Sequence, residues 1–267
     1  MHQPFEGCEA SVAIPPRLWI YANYDCNLSC TYCVASSHPR AERRSIPAAT
    51  FAKIVDEAAE IGVRQLFMTG GEPFLLPDIH WRIEHALTRM DVTVLTNGIL
   101  LLGGRQLDGL LPLRGERLTI QISLDSHSPV IHDGYRGTGS WVKAVSSIRK
   151  LRELGFRVSV GATETPANGA EIEPLRTFVR SLGIAEDDFF VRPLVKRGFS
   201  QEGLVLEAAD LIPEITVNND GVYWHPLATE ADLLLTRRIF PLRPALETLH
   251  ERYHTVLATG KLPKPFR

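Results

Sequence analysis

Leu18-Trp19-Ile20-Tyr21-Ala22-Asn23-Tyr24-Asp25-Cys26-Asn27-Leu28-Ser29-Cys30-Thr31-Tyr32-Cys33 is an apolar run that leads into three cysteines within eight residues. Leu18 to Asn23 predicts a strand, and Cys26 follows directly after it. Thiolates at i, i+4 and i+7 on one short loop can wrap a single metal centre, but they cannot fill four coordination positions. A structural zinc site wants four ligands, and His38 or Cys8 are the available fourth partners. Three unconnected core cysteines are a second reading, at odds with a loop rich in Asn, Ser and Thr. An iron–sulfur cluster takes one cysteine per iron, so a cubane on Cys26, Cys30 and Cys33 keeps one iron open to a ligand that is not protein.

Downstream, short apolar runs alternate with amphipathic stretches to about residue 192. A helix is expected from near Pro47, with Phe51, Ile54, Val55, Ala58 and Ala59 at helical spacing and Gly62 as its stop. Strands are expected at Gln65–Thr69, Val92–Thr96, Leu118–Ser123, Arg157–Ala162 and Phe189–Pro193, and helices at Ile79–Arg89, Trp141–Leu154 and Glu173–Leu182. About six strand–helix alternations argue a parallel sheet with helices outside, too few for a closed eight-fold barrel and suited to a partial one. The expected fold class is therefore α/β, a partial (β/α)6 TIM-like barrel with a small C-terminal β-hairpin and helix extension. Chemistry in such folds gathers at the carboxyl ends of the strands. Cys26, Gly70-Gly71-Glu72, Thr96-Asn97-Gly98 and Ser123 with Asp125 all fall at such ends.

Beyond Gly198 the pattern changes. Ile215-Thr216-Val217, Asn218-Asn219-Asp220-Gly221 and Val222-Tyr223-Trp224 read as a hairpin with an Asp-Gly turn, and a helix is expected from about Pro241 to Ala258. The domain reading is residues 1–17 as an N-terminal extension, 18–200 as the partial barrel and 201–267 as a C-terminal extension.

The 267 residues suffice for a substantial core, and 44% apolar with 22% charged residues is ordinary for a globular protein. A formal net charge of -2 gives no bulk attraction to nucleic acid or an anionic membrane. Arg40, Arg43 and Arg44, the densest positive patch, read as solvated surface. No segment reaches the roughly 20 apolar residues that span a bilayer, and Met1 to Pro16 lacks the pattern of a secretory signal. Three of the four cysteines crowd one loop, which favours a reducing cytoplasm.

Cys26, Cys30, Tyr32 and Cys33 match, position for position, the Cys-x-x-x-Cys-x-aromatic-Cys signature of the radical S-adenosylmethionine superfamily, which the chain resembles over residues 18–200. The resemblance implies a [4Fe-4S] cluster whose open iron chelates the methionine moiety of S-adenosylmethionine. Reductive cleavage then yields a 5′-deoxyadenosyl radical that abstracts a substrate hydrogen, and the protein orients the cofactor and excludes water. Gly70-Gly71-Glu72-Pro73 resembles the family's second motif: two glycines let the backbone approach a ligand, and their carbonyls with Glu72 could accept from its amine. Ser123 is the candidate contact to the cofactor's carboxylate or ribose. Asp125 is a further contact or a cap, and Asn97 a contact or a turn residue. Arg136 could pair with a carboxylate or anchor its loop, and Arg192 ends a strand where it could face the cavity. Tyr32 could shield the cluster and meet the adenine. His38 reads as exposed or as a substrate contact, and Cys8 as a bystander or a hydrogen donor.

The C-terminal part resembles the shortened twitch or SPASM segment of such enzymes, with His225 where a cysteine is expected. With no cysteine after Cys33, a second all-cysteine cluster from this chain is excluded. The molybdenum-cofactor cyclase shares several motifs but carries an arginine where Phe67 stands. The resemblance implies a peptide or small-molecule substrate and a flavodoxin- or ferredoxin-type reductant. Alternatives are an activase of a glycyl radical enzyme, or a catalytically silent cluster-binding regulatory protein.

Overall fold

The structure is a computed structural model that describes residues 16–261, 263, 264 and 266. Cys8 and nearly all of the 1–17 extension lie outside the described residues. Six strands, β1 (Arg17–Tyr21), β2 (Gln65–Thr69), β3 (Asp91–Thr96), β4 (Leu118–Ser123), β5 (Arg157–Glu164) and β6 (Phe189–Pro193), pair in parallel in chain order. Between them run α1 (Ala48–Glu60), α2 (Ile79–Leu87), α3 (Arg105–Leu110), α4 (Pro129–Arg136), α5 (Ser140–Glu153) and α6 (Ile172–Ser181). The α/β partial barrel expected from the alternation is what forms.

Strand parity explains where each side chain goes, since successive residues point to opposite faces. Leu18, Ile20, Leu66, Met68, Val92, Val94, Ile120, Ile122, Val158 and Val160 form one buried apolar core with helix residues such as Phe51, Ile54, Ile83, Ala144 and Ile148. The alternate residues Trp19, Tyr21, Phe67, Thr93, Gln121 and Ser159 line an internal lumen. The apolar spacing that predicts α1 is the face it buries, and Gly62 follows it in a left-handed conformation at φ +99°. Two helices were not expected, α3 and α4. The first has six residues, and the second buries only His132, so neither carries a helical apolar stripe.

The hairpin is β7 (Thr216–Asn218) with β8 (Gly221–Tyr223), followed by β9 (Leu234–Thr236) and α7 (Leu242–Ala258). Its turn differs from the expected one. Asn218 pairs with Gly221, so the loop residues are Asn219 and Asp220 and the glycine lies in the strand. There a Cβ would come within 2.6 Å of the Thr236 carbonyl oxygen, so Gly221 permits β9 to approach. The hairpin extends the main sheet, because β7 pairs in parallel with β1 (Trp19 with Thr216, Ile20 with Val217). The full order is β6-β5-β4-β3-β2-β1-β7-β8-β9. α7 returns to the barrel, where the Leu242 backbone N–H donates to Glu57 Oε2 at 2.7 Å. No described helix is long and apolar enough to cross a membrane.

Candidate active site

The lumen has a volume of about 390 Å³ and runs from the strand starts at Arg17 and Gln65 to the loops at their carboxyl ends. Cys26, Cys30, Tyr32, Cys33, Gly70, Gly71, Asn97, Ser123, Arg136, Arg192 and His225 all line it. Glu72 and Asp125 do not: both are fully buried inside the protein. His38 lies outside as well, with its ring 6.0 Å from that of Phe199.

The three cysteines are free thiols, Cys26 buried and the others half-buried. Backbone N–H groups point at two of the sulfurs, from Leu28 to Cys26 and from Ser37 to Cys33, each at 3.4 Å. The Asn97 amide approaches Cys26 Sγ at 3.9 Å and donates to Asn27 Oδ1 at 2.7 Å. Burial pushes the Cys26 thiol up to about 12 and the Cys30 thiol up to about 11. Thiolates there need a compensating cation. Among the described residues no three Cys, His, Asp or Glu side chains converge tightly enough to hold a single ion. Three thiols on one loop could each meet a different iron of a cubane.

Gly70 and Gly71 bring the end of β2 against the segment that precedes Cys26. The Gly71 and Glu72 backbone N–H groups donate to the carbonyls of Asn23 and Asp25, each at 2.9 Å. Asn23 Nδ2 answers by donating to the Glu72 carbonyl at 3.0 Å. A Cβ on Gly71 would sit 2.1 Å from the Asp25 carbonyl oxygen, so only glycine fits. The Glu72 carboxylate turns away from the lumen. It accepts from Thr96 Oγ1 at 2.8 and 2.9 Å, from the Asn97 N–H at 3.0 Å and from the Phe74 N–H at 3.1 Å. Burial raises its pKa to about 7, against those hydrogen bonds. It ties the end of β2 to the end of β3.

Asp125 is a second tie. Arg136 donates from Nε to Oδ2 at 2.6 Å and from Nη2 to Oδ1 at 3.1 Å, the Thr163 N–H donates to Oδ1 at 3.0 Å, and the Tyr32 hydroxyl donates to Oδ2. Burial alone would raise the Asp125 pKa, but the charge and hydrogen bonds of Arg136 outweigh it and hold the carboxyl below the usual carboxylate range. The guanidinium also lies 5.4 Å from the Tyr32 ring centroid. Of the two readings for Arg136, the anchoring one is visible in these bonds, while its lumen face stays available. Sequence reasoning missed Asn23, His132 and Asn168, which hold these loops from behind. Asn168 donates to the Asp125 carbonyl at 2.6 Å. An asparagine at a strand end is the only signal that could have found Asn23.

On the opposite wall, the Arg192 guanidinium lies 5.8 Å from the Trp19 ring centroid. His225 Nδ1 accepts the Leu227 N–H at 3.0 Å, and burial pushes its pKa down to about 3, so the imidazole is neutral.

A parallel sheet with three thiols and several polar residues at the carboxyl ends of its strands, around a lumen, is the partial-barrel class of α/β enzyme fold. A family model described as the Radical SAM superfamily matches residues 20–179, and this chain belongs to that superfamily of enzymes. Membership implies a [4Fe-4S] cluster and S-adenosylmethionine. The chain is 32% identical over 160 residues to the antilisterial bacteriocin subtilosin biosynthesis protein AlbA of Bacillus subtilis (strain 168), covering 59% of this chain and 35% of that protein. It is 29% identical over 186 residues to the mycofactocin maturase MftC of Mycobacterium tuberculosis (strain CDC 1551 / Oshkosh), covering 67% of this chain and 45% of that protein. It thus spans less than half the length of these two relatives. The fold is similar to that of native anSMEcpe solved with bound AdoMet and the Kp18Cys peptide, with a TM-score of 0.67, 15% identity, and coverage of 88% of this chain and 82% of that one.

Proposed function

We propose that this chain is a radical enzyme that holds one [4Fe-4S] cluster on Cys26, Cys30 and Cys33, binds S-adenosylmethionine beside it, and abstracts hydrogen from a peptide substrate. One observation carries the reading: all three thiols open into one lumen that the Gly70-Gly71 backbone, Ser123 and Arg136 also line. When bound, the cluster and S-adenosylmethionine supply a 5′-deoxyadenosyl radical. The chain's own residues do the holding. The Gly70 and Gly71 backbone lets a ligand amine approach without a side chain between, Ser123 and Arg136 offer donors to its carboxylate or ribose, and Asn97 and Tyr32 cover the cluster loop. Glu72 and Asp125 act by positioning these groups. The barrel walls keep water from the reacting atoms. A peptide substrate is favoured by relatives named for bacteriocin biosynthesis and mycofactocin maturation. The electron donor would be a reductant of the flavodoxin or ferredoxin class.

The test is anaerobic iron reconstitution, reduction with dithionite, and chromatography for 5′-deoxyadenosine after S-adenosylmethionine is added. The reading expects about four irons per chain and 5′-deoxyadenosine that disappears in Cys30→Ala. Full iron content in that variant, or zinc in place of iron in the native chain, would overturn it.

A further inference from the structure

The lumen below the cysteine loop carries buried polar side chains where a closed barrel would be packed with apolar ones. Gln121 and Ser159 face each other on β4 and β5, at 3% and 1% exposure. The Gln121 Oε1 and Ser159 Oγ atoms have no hydrogen-bond partner among the described residues. Buried polar atoms are nearly always bonded, so two unbonded neighbours lining one cavity mark a place where something else supplies the bonds.

The arginines of the same lumen sort by partner. Arg136 is paired with Asp125, Arg157 with Asp188 at 3.1 Å, and Arg17 lies 3.8 Å from Glu214. Arg192 has no ion-paired or hydrogen-bonded partner among the described residues; it reaches across the lumen to the face of Trp19. Trp19 belongs to the row of side chains that continues through Phe67, Thr93 and Thr119 to Arg157, one inward position below Gln121 and Ser159. Trp19 and Phe67 stack at 4.4 Å and give this region a flat apolar wall. Glu214, held by Trp19 Nε1 at 2.5 Å, lies close enough to Arg192 to oppose the lowering of its pKa by burial. One free guanidinium next to that carboxylate suits a monoanion better than a phosphate dianion.

We propose that the lumen holds a substrate by its carboxylate at Arg192, whose register partner Thr163 lies two inward positions beyond Ser159 on β5, with the apolar part of the substrate laid on Trp19 and Phe67 and a donor further along it on Gln121 and Ser159. The guanidinium takes the carboxylate oxygens, while Gln121 Oε1 and Ser159 Oγ accept from that N–H or O–H donor. This rests on the reading above only in taking the substrate to enter the lumen, and it moves Arg192 from the cofactor side to the substrate side.

The carboxylate could come from a substrate or from S-adenosylmethionine itself, and the experiment separates the two. Labelled benzoate and benzamide are dialysed to equilibrium against reconstituted protein saturated with S-adenosylmethionine. The proposal expects one benzoate per chain with a millimolar Kd, and benzamide at least tenfold weaker. Arg192→Gln should weaken benzoate tenfold or more, Arg192→Lys should restore part of that, and S-adenosylmethionine affinity should stay within twofold in both. Gln121→Leu, which removes the unbonded Oε1 in favour of an apolar group of similar size, should keep the fold and leave benzoate, which offers no N–H or O–H, within twofold, while 4-hydroxybenzoate, whose hydroxyl can donate to Oε1, should weaken. Absence of benzoate binding in the native chain, equal binding of benzamide, or unchanged benzoate binding in Arg192→Gln overturns the proposal. So does a tenfold loss of S-adenosylmethionine affinity in Arg192→Gln, which would put the cofactor's own carboxylate there. Formation of 5′-deoxyadenosine in the same preparation reports on the radical enzyme reading separately.

Discussion

Tyr32, between the second and third cysteines, donates its hydroxyl to the fully buried carboxylate of Asp125 at the end of β4. With the Thr31 N–H bonded to the Tyr135 carbonyl at 3.0 Å, that bond fastens the cysteine loop to the far side of the barrel. The carboxylate keeps three further bonds without Tyr32, two from Arg136 and one from the Thr163 N–H. Tyr32→Phe should therefore cost only about 1 kcal/mol. Asp125→Ala leaves the Arg136 guanidinium buried and uncompensated, which should cost about 3–5 kcal/mol. Urea unfolding of the metal-free variants measures both, and equal losses would mean that the pair is not the anchor described here.

Gly71 is placed where no other residue fits. Its Cβ would collide with the carbonyl carbon and oxygen of Asp25, at 2.6 and 2.1 Å, and neither is a side chain that can swing away. Gly71→Ala should push the Asn23–Asp25 segment, and Cys26 with it, out of register. The expected outcome is a loss of stability of about 2 kcal/mol or more and iron reconstitution well below that of the native chain. Gly103→Ala, at a glycine with open space around it, is the control and should change neither.

Glu72 makes the opposite prediction to a direct ligand. Its oxygens already accept from Thr96, Phe74 and Asn97, so loss of the carboxylate acts through the loops it joins. Glu72→Gln retains one acceptor oxygen but aims an NH₂ at an N–H donor, a conflict that should cost about 1–3 kcal/mol. S-adenosylmethionine affinity should fall in step with that destabilisation and recover as the loops are stabilised, for example at lower temperature or with osmolyte. A large affinity loss in a variant of native stability would instead place Glu72 against the ligand.

Much of this was legible in period-two alternation. Gln65, Phe67, Thr69 and Gly71 share one parity, so the same rule that sends Phe67 into the lumen sends Glu72 away from it. Thr93, Leu95 and Asn97 follow that rule too, and Asn97 does reach the lumen. Asp125 has the parity of Ser123, yet the chain turns after the strand, and partners as distant in sequence as Tyr32 and Arg136 decide where its carboxylate goes. No local pattern encodes that. The short α4 was hidden for a related reason: His132 is its only buried residue, and the Arg136–Asp125 ion pair at its end, a contact outside the helix, helps to hold it. The polar side chains inside the lumen could be read from Thr93, Gln121 and Ser159 at inward parity, but the absence of partners for atoms of two of them required the folded arrangement.

His132 gives a pH dependence with a definite sign. The buried imidazole accepts the Asp125 backbone N–H on Nδ1 at 3.1 Å, and burial, aided by the Arg136 charge, pushes its pKa down to about 4. An unfolded histidine titrates near 6.5 (roughly). Between those values the unfolded chain binds a proton that the folded chain refuses, so this contribution to stability is complete above the unfolded value and is lost as pH falls toward 4. At about 1.4 kcal/mol per unit the loss is about 3 kcal/mol at most. His132→Asn keeps an acceptor near Nδ1 and cannot titrate. Glu72, raised to about 7, contributes the opposite slope, but it does so in both proteins and cancels in their difference. Unfolding free energies of the two metal-free proteins should diverge steadily from pH 6.5 to 4, the native chain losing more; parallel profiles would show that His132 is protonated in the folded state and that its bond to Asp125 is not the one drawn here.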